Sequence, residues 1–411
     1  MKAALSPFVA LYGATFVLMV GMGLLGSFLG VRLSIEGVSV ATIGRVMTAY
    51  YVGLLVGAFF STRLIQRVGH IRSFSAFAAV TTGVVLLHAL YVSPFTWALL
   101  RFLTGISAIG LYTVIESWLC ECSPQNVRGR VFAIYMVVSY LGQGVGQQLL
   151  NVGAPEAQTL FILSALFISL CIVPVATTRS IHPNPSEPAP FRFKAIFMKS
   201  PVGVLGCLVA GLISSAFYSM GPVFCQQFDM SLFELSWFMT AAILGGLLLQ
   251  WPIGAISDRF DRSLVLLVLG VVVCLVTPGV MVAANTRIEY LIGTMVVYGG
   301  LIFSIYPVSV ARAQDLFEPG EIVSVSTALL FAYGVGATLG PLVSSMVMEA
   351  SPYGLFFFFM SVSAVYALIV FGLRRGERIE IVSAEDQGDF VFMHKTSVVA
   401  LHQDLPEDEL F

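Results

Sequence analysis

Charged residues are scarce in this chain of 411 residues. Asp, Glu, Lys and Arg make up 11% of the sequence, hydrophobic residues make up 57%, and the mean hydropathy is +0.91. Because soluble domains carry about 25% charged residues, this composition cannot cover a water-facing surface. Most of the apolar excess must face lipid. The sequence therefore predicts a polytopic membrane protein and excludes a secreted globular enzyme.

Basic clusters and metal-binding cysteine spacings are also missing. The formal net charge is −2, and no basic stripe is present that would bind nucleic-acid phosphates. None of the six cysteines belongs to a CxxC pair, and the C-x-C of Cys120 and Cys122 has the wrong spacing for a zinc site. We therefore expect no nucleic-acid partner, no metal and no cofactor.

Twelve apolar segments are long enough to cross a bilayer, because a spanning helix needs about 20 residues whose backbone groups bond to one another. They lie at residues 8–31, 43–64, 72–92, 95–119, 130–151, 158–178, 200–224, 235–257, 263–284, 288–313, 323–348 and 353–373. The sequence therefore predicts an all-α membrane protein with twelve transmembrane helices.

The longest connection, residues 179–199, is a polar, proline-rich linker. It separates six segments at 1–178 from six at 200–373, and an acidic tail of net charge −5 follows at 374–411. Within the tail, the alternating stretch 389–393 is long enough for a short strand, and the composition of the rest permits disorder.

The distribution of basic residues predicts the orientation. If both termini are cytoplasmic, seventeen of the 21 Lys and Arg residues lie on that side, as the preference of basic loops for the cytoplasm requires. We expect a multi-pass protein of a bacterial inner membrane, with both termini and the linker in the cytoplasm.

Parts of the sequence repeat. The loop after the second segment aligns with the loop after the eighth at an offset of 192 residues, and segments 4–5 align with 10–11 at an offset of 194. The alignment pairs Gly53 with Gly245, Arg67 with Arg259, Tyr112 with Tyr306, Gly142 with Gly336, and Gly146 with Gly340. A nearly constant offset over distant loops indicates two parallel six-helix halves.

Three motifs carry a family resemblance. They are Gly254-Ala-Ile-Ser-Asp258-Arg259-Phe-Asp261-Arg262 in the eighth loop, Arg101-Phe-Leu-Thr-Gly105 in segment 4, and Gly336-Ala-Thr-Leu-Gly340-Pro341 in segment 11. These motifs resemble those of the major facilitator superfamily. The copy of the first motif after segment 2 departs from the family pattern at Thr62, Gln66 and His70.

A closer resemblance is to an orphan bacterial branch of that family, the YcaD-like proteins. It is carried by Arg63-Leu-Ile-Gln-Arg67-Val-Gly69-His70, Glu116-Ser117-Trp118 with Arg128-Gly129-Arg130, Tyr306-Pro307, and Leu329-Leu330 with Gly340-Pro341. The resemblance implies two pseudo-symmetric six-helix bundles that rock about a site at the membrane midplane, which is alternating access. It implies no particular substrate.

Charged residues at the cytoplasmic helix ends are candidates for a gate. Asp258 and Arg259 are candidates for a latch, because a carboxylate is stabilised by a nearby helix N-terminus and by an adjacent arginine. Membrane anchors and turn residues have the same composition. Because Gln66 is uncharged, we expect the stronger latch in the C-terminal half. Arg312 and Asp315 are three residues apart and are expected to pair. The predicted gate residues are Arg67, Arg128, Arg130, Asp258, Arg259, Arg262, Arg312 and Asp315.

Two charged residues of segment 4 lie within the membrane. A carboxylate inside a span costs about 2.5–3.5 kcal/mol, so it is usually paired or functional. Glu116 is either a coupling carboxylate or a gate residue that pairs with Arg128 or Arg130, and its position near the end of the segment favours the second interpretation. Arg101 either binds an anion or assists proton release, or it only snorkels and caps backbone groups.

Further candidates are polar, aromatic or small residues of central segments. The predicted substrate or coupling residues are Arg101, Tyr112, Glu116, Gln143, Gln147, Tyr218 and Tyr306, and weaker candidates are Trp237, Gln250, Tyr298 and Tyr333. Aromatic residues at helical spacing are also typical of plain packing. Gly142, Gly146, Gly336 and Gly340, with a kink at Pro341, are expected to pack helices closely and form a flexible interface between the bundles.

These features predict a secondary active transporter that moves a small organic solute by alternating access, with proton-coupled efflux as one form. No GxxxxGK[ST] motif is present, so a gradient must supply the energy. The alternative is a transporter-like sensor or scaffold that acts through the acidic tail. The chain lacks an activated serine or a His/Glu metal cluster for an intramembrane enzyme. The expected partners are the solute, the bilayer and protons, and the expected state is a monomer.

Overall fold

Twelve long helices, numbered α1 to α12, account for most of the structure. The computed structural model describes residues 8–177, 192–376, 379–383, 387–388 and 390. The helices are Val9–Ile35, Val40–Val68, His70–Leu90, Pro94–Cys122, Gln125–Gln148, Thr159–Ala176, Pro201–Gln227, Leu232–Ser257, Arg262–Ala283, Ile288–Gln314, Ile322–Ala350 and Gly354–Arg375.

Eleven of these helices in the described chain are long and apolar enough to cross a membrane, as expected of a multi-pass membrane protein. The exception is α5, which carries Gln143, Gln147 and Gln148 in its last turns and continues into a 3₁₀ turn at Leu149–Val152. These amides bond to protein groups on α1 and α8, so the helix is polar where it faces protein. That α5 is a twelfth spanning helix stays a prediction.

Only part of the predicted linker and tail can be compared with the structure. Residues 179–191 and most of the stretch 389–393 lie outside the described residues, and so does any strand there. The end of the linker forms a short helix, Phe193–Lys199, because Ile196 is buried and the ring of Phe193 packs 5.6 Å from that of Phe331. The linker is therefore not irregular throughout its length.

Close helix pairs recur at the positions that the sequence repeat equates. A Cβ atom on Gly53 of α2 would overlap the carbonyl oxygen of Phe102 on α4, and one on Gly245 of α8 would overlap that of Val296 on α10. The backbones are therefore in contact, which only glycine allows. The same alignment thus relates α2 on α4 to α8 on α10.

The paired glycines of α5 and α11 lie inside each half, and the expectation of an interface between bundles was wrong for them. Gly142 and Gly146 approach the backbone of α1, and Gly336 and Gly340 approach that of α7. Such close approach favours fixed packing, because two backbones in contact leave little room to slide. Pro341 lies within α11 beside this contact.

The first six and last six helices meet along α1 with α7, α2 with α11, and α5 with α8. Gln148 Nε2 donates to Thr240 Oγ1 at 2.8 Å, and the backbone N–H of Ala41 donates to Glu349 Oε1 at 3.2 Å. Both bonds lie at the helix ends opposite to the chain termini. That end of the structure is therefore closed by direct contacts between the halves.

Candidate functional site

A cavity of about 90 Å³ lies between the two halves. Its walls come from α1, α2, α4 and α5 of the first half and from α7 and α11 of the second. Five of the seven predicted substrate or coupling residues line it, and so does one of the weaker candidates: Arg101, Tyr112, Gln143, Gln147, Tyr218 and Tyr333. Sequence reasoning missed four polar lining residues: Ser27, Tyr50, Tyr51 and Ser219.

Arg101 is the charged residue of this wall. Its side chain is 4% exposed, and its guanidinium carbon lies 4.3 Å from the centre of the Tyr50 ring. Within the described residues, its Nε has no hydrogen-bond partner and the guanidinium takes part in no salt bridge. A guanidinium over a tyrosine ring, with an Nε donor that lacks a partner, is arranged to bind an acceptor from the cavity.

Two glutamines of α5 contribute amide groups to the wall. Gln147 accepts a hydrogen bond from Ser27 Oγ at 2.6 Å and donates to the Gly23 carbonyl oxygen at 2.9 Å, so α1 fixes its orientation. Gln143 Nε2 lies 3.7 Å from the sulfur of Met19, which is a weak acceptor. Gln143 therefore retains hydrogen-bonding capacity that a bound molecule can use.

The aromatic lining comes from both halves. Tyr51 donates to the Ser215 carbonyl oxygen at 3.4 Å, which joins α2 to α7 beside the cavity. Tyr306 is not among the lining residues; its ring packs 5.1 Å from that of Tyr333 and supports it from behind. The repeat equates Tyr306 with Tyr112, yet only Tyr112 reaches the cavity.

The weaker candidates Trp237, Gln250 and Tyr298 lie away from this wall. Trp237 is 39% exposed on α8, and Tyr298 is buried with its hydroxyl 3.0 Å from Thr277 Oγ1. Gln250 is also buried, and its side-chain amide has no hydrogen-bond partner in the described structure. These residues therefore belong to the periphery or the core of the second half.

Glu116 is fully buried and lies outside the cavity wall. Tyr135, which is also fully buried on α5, donates its hydroxyl to Glu116 Oε1 at 3.1 Å. Arg128 donates to the Ser123 carbonyl oxygen at 3.4 Å, and Arg130 is exposed. Sequence reasoning missed Tyr135 as a partner, and a pair between Glu116 and either arginine stays a prediction.

A charge cluster lies where α8, α9 and α10 end on the side of the termini. Arg262 bonds to Asp258 at 2.9 Å and to Asp315 at 2.6 Å, and the side chains of Arg262 and Asp315 are each 1% exposed. The expected pair of Arg312 with Asp315 was wrong, because Arg262 at the start of α9 reaches across to the end of α10.

The expected contact of Asp258 with Arg259 was wrong as well. Residues four apart share a helix face and neighbours do not, so Asp258 pairs with Arg262 and Arg259 is exposed. In the first half, Arg67 is exposed, and His70 Nε2 lies 3.0 Å from Ser117 Oγ.

The C-terminal tail covers this charge cluster. The backbone N–H of Gly388 donates to Asp315 Oδ1 at 3.3 Å. The backbone N–H of Phe390 donates to Asp258 Oδ1 at 3.1 Å. Arg262 also donates to the carbonyl oxygen of Gly388.

A second part of the tail lies beside the cluster. Arg312 donates to the carbonyl oxygen of Glu380, and Gln387 Nε2 donates to that of Phe260 at 3.3 Å. We call residues 379–383, 387–388 and 390 the tail clasp.

Two carboxyl groups at this end have shifted pKa values. Burial raises the pKa of Asp315, although Arg262 lowers it. Burial also acts to raise the pKa of Asp261, but hydrogen bonds from Ser263 and Arg374 outweigh it and lower the pKa overall. Asp261 is therefore held as a carboxylate, which caps the N-terminus of α9 through the N–H of Leu264 at 3.2 Å.

The fold and motifs agree with comparisons to known proteins. The model of the Major Facilitator Superfamily matches residues 11–332 and 226–401, so the chain belongs to this superfamily. The chain is 29% identical over 375 residues to YcaD of Shigella flexneri, described as an uncharacterised transporter of this type, covering 89% of this chain and 95% of the relative. It is 30% identical to YcaD of Salmonella newport over 335 residues, which cover 80% of this chain and 85% of the relative.

Solved structures share the fold. The nucleoside transporter NupG superimposes with a TM-score of 0.75 over 90% of this chain and 99% of its own, at 14% identity. The D-xylose-proton symporter superimposes with a TM-score of 0.68 over 93% of this chain and 98% of its own, at 11% identity. These comparisons make the protein a membrane transporter of this superfamily.

Proposed function

We propose that this protein moves a small organic solute across a bacterial inner membrane by alternating access. The observation that supports it best is the central cavity, because both halves contribute polar and aromatic side chains to one space between them. Binding sites of secondary transporters are built between their repeats near the membrane midplane. The proposal includes twelve spanning helices, bundles at 1–178 and 200–373, and no catalytic activity.

The proposed orientation places both termini in the cytoplasm. The hydrogen bonds that join the halves at Gln148 and Ala41 then lie at the periplasmic end. We therefore assign an inward-facing arrangement, closed towards the periplasm. Transport requires these contacts to break while the cytoplasmic ends approach each other.

A gradient supplies the energy in this proposal, and proton-coupled efflux is one form of it. The fold neighbours include one transporter named for nucleosides and one named for D-xylose and protons. Both names support a small polar solute, and the second also supports the use of a proton gradient. Neither selects a substrate for this chain.

Counterflow in liposomes tests the proposal. Purified protein is reconstituted with an unlabelled solute inside, and entry of the labelled solute is followed for a panel of organic acids, amides, amines, sugars and nucleosides. We expect at least one solute to exchange, with the rate lowered about tenfold by Tyr218→Ala in the cavity. Tyr290→Ala is the matched control, because Tyr290 is 63% exposed at the start of α10. Exchange of no solute by a folded protein would contradict transport.

A second candidate is a transporter-like sensor that acts through the tail. The contacts of the tail clasp with Asp258 and Asp315 favour it, since they link the tail to the moving helix ends. Counterflow that persists after deletion of residues 377–411 supports transport. A ligand-dependent cellular response without any exchange supports the sensor.

A further inference from the structure

The guanidinium group of Arg101 lies in the central cavity without an acidic partner in the described residues. We propose that the solute is a small organic anion whose carboxylate binds Arg101. This inference rests on the proposed transport function and adds the substrate class to it.

The charge of the cavity wall carries the first step. Among the described lining residues, Arg101 is charged and no Asp or Glu is present. Glu116 is 15 residues further along α4, which is about 22 Å along a helix axis, and it accepts from Tyr135. A cation inside a membrane protein is costly unless a partner neutralises it. A solute with one negative charge supplies that partner.

The geometry of Arg101 carries the second step. The guanidinium carbon lies 4.3 Å from the centre of the Tyr50 ring, and the buried Nε has no hydrogen-bond partner in the described structure. An arginine edge presents paired N–H donors that match the two oxygens of a carboxylate. The same charge would repel an organic cation, which excludes amines from the proposed class.

The remaining wall sets the size and character of the solute. Tyrosine rings from both halves offer apolar faces, and Gln143 retains hydrogen-bonding capacity. The volume of about 90 Å³ is smaller than the roughly 150 Å³ that holds benzene in an apolar cavity. We therefore infer that the cavity in this arrangement holds a monocarboxylate of a few carbon atoms, and that a larger acid such as benzoate binds when the walls move apart.

A binding experiment with matched probes tests this assignment. Thermal unfolding of the purified full-length chain is measured with butanoate, butanamide and butylamine, and with benzoate, benzamide and benzylamine. We expect the carboxylates alone to raise the unfolding temperature. In Arg101→Gln the concentration for half the effect rises by about ten- to a hundredfold, because charged hydrogen bonds are lost.

Two further variants keep the test decisive. Arg45→Gln removes a cation from the exposed end of α2, where Arg45 Nε donates to the Ala41 carbonyl oxygen at 3.3 Å, and we expect wild-type binding. Arg101→Lys keeps the charge and loses the paired donors, so we expect intermediate binding even if Arg101→Gln fails to fold. A response to amides or amines, or unchanged binding in both Arg101 variants, would overturn the assignment.

The failure of this inference is distinct from the failure of transport. Carboxylates that bind through Arg101 but never exchange in liposomes would contradict transport and leave the anion site in place. Exchange of neutral or cationic solutes at the wild-type rate in Arg101→Lys would contradict the anion site and leave transport in place.

A separate observation, the docking of the tail, carries a second inference. The four charged side chains Asp258, Arg262, Arg312 and Asp315 all bond to backbone groups of the tail clasp. Asp258 lies at the end of α8, Arg262 begins α9, and Arg312 and Asp315 lie at the end of α10. These helix ends must shift when the cytoplasmic side closes. We infer that the tail clasp restrains these helix ends and slows transport.

The tail clasp packs against one glycine of α8. The ring of Phe390 lies against Gly254 of α8, and a Cβ atom at Gly254 would overlap that ring. Gly254→Ala therefore adds one methyl group and is expected to displace Phe390 while leaving the charge cluster unchanged. Phe390→Ala removes the ring and is expected to release the same contact from the other side.

Hydrogen–deuterium exchange and counterflow together test the restraint. We expect both variants to raise exchange in the peptide that contains residues 387–390 and to raise the transport rate about threefold or more, as a lowered barrier of about 0.7 kcal/mol would. Ile256→Ala is the matched control, because its side chain is 49% exposed near the same end of α8. Faster exchange with an unchanged or lower transport rate would contradict the restraint, and unchanged exchange would contradict the docking.

Discussion

The two halves of this transporter place their charges at different depths. The offset of 194 residues that equates Tyr112 with Tyr306 also equates Arg101 with Met295 and Glu116 with Val310. Met295 and Val310 are buried and apolar. The first half therefore carries charges within the membrane at positions where the second half is hydrophobic, which suits the first half to binding or coupling.

The comparison reverses at the side of the termini. The second half has Asp258, Arg262 and Asp315 in direct contact, and the offsets of 192 and 194 place these on Gln66, His70 and Glu121. At the equivalent positions of the first half, Gln66 is uncharged and exposed, and His70 contacts Ser117. The ion pairs that the structure describes at this end lie in the second half.

The largest expected effect comes from Arg262→Gln. Removing one partner of a buried ion pair costs about 3–5 kcal/mol, because Asp315 is left buried without its cation. We expect a correspondingly lower unfolding free energy in detergent. Arg259→Gln is the matched control, since Arg259 is exposed in the same loop. Equal stability of the two variants would show that the cluster does not hold the helix ends.

The next effect concerns the buried carboxyl group of the first half. Glu116→Ala leaves the Tyr135 hydroxyl without its acceptor, which costs about 1–3 kcal/mol. Glu116→Gln keeps an oxygen acceptor, so we expect stability and proton-driven flux close to those of the wild type. Loss of proton-driven flux in Glu116→Gln, with counterflow retained, would instead identify Glu116 as a coupling group.

His70 provides the direct comparison with Arg262. Its Nε2 lies 3.0 Å from Ser117 Oγ and joins α3 to α4, and a neutral hydrogen bond contributes about 1 kcal/mol. His70→Gln should therefore lower the unfolding free energy by no more than about that amount. A loss as large as that of Arg262→Gln would remove the asymmetry between the halves.

The sequence predicted what depends on composition and on spacing within one helix. Long apolar runs predicted the helices, and the polar or aromatic character of Tyr112 and Gln143 predicted residues that line the cavity. Contacts between helices were harder to predict, because they depend on how separate elements rotate about their axes. Arg262 at the start of α9 pairs with Asp315 at the end of α10, and Tyr135 of α5 donates to Glu116 of α4. Neither contact could be predicted from the spacing of the residues in the sequence.

The tail shows the same limit in another form. Its composition predicted a polar appendage, but Gly388 and Phe390 bond through backbone groups, and backbone hydrogen bonds are open to almost any residue. Of the described tail residues, Phe390, whose ring lies against Gly254, and Gln387, whose amide donates to Phe260, make contacts that depend on their own side chains. A motif assigned to a loop can therefore also be a docking site, and this function is not visible from the motif alone.

The smallest expected effect is at Asp261, which bonds to Arg374 and Ser263 at the start of α9. Asp261→Asn keeps an oxygen that can cap the helix and loses the ion pair, so we expect a loss of less than about 1 kcal/mol. The pKa of Asp261 is lowered in the folded protein, so its contribution is complete above the pKa of the unfolded chain and disappears as the pH falls through the folded value. Thermal unfolding of both proteins should differ at neutral pH and converge in acid, and a difference that persisted in acid would assign the effect to helix capping.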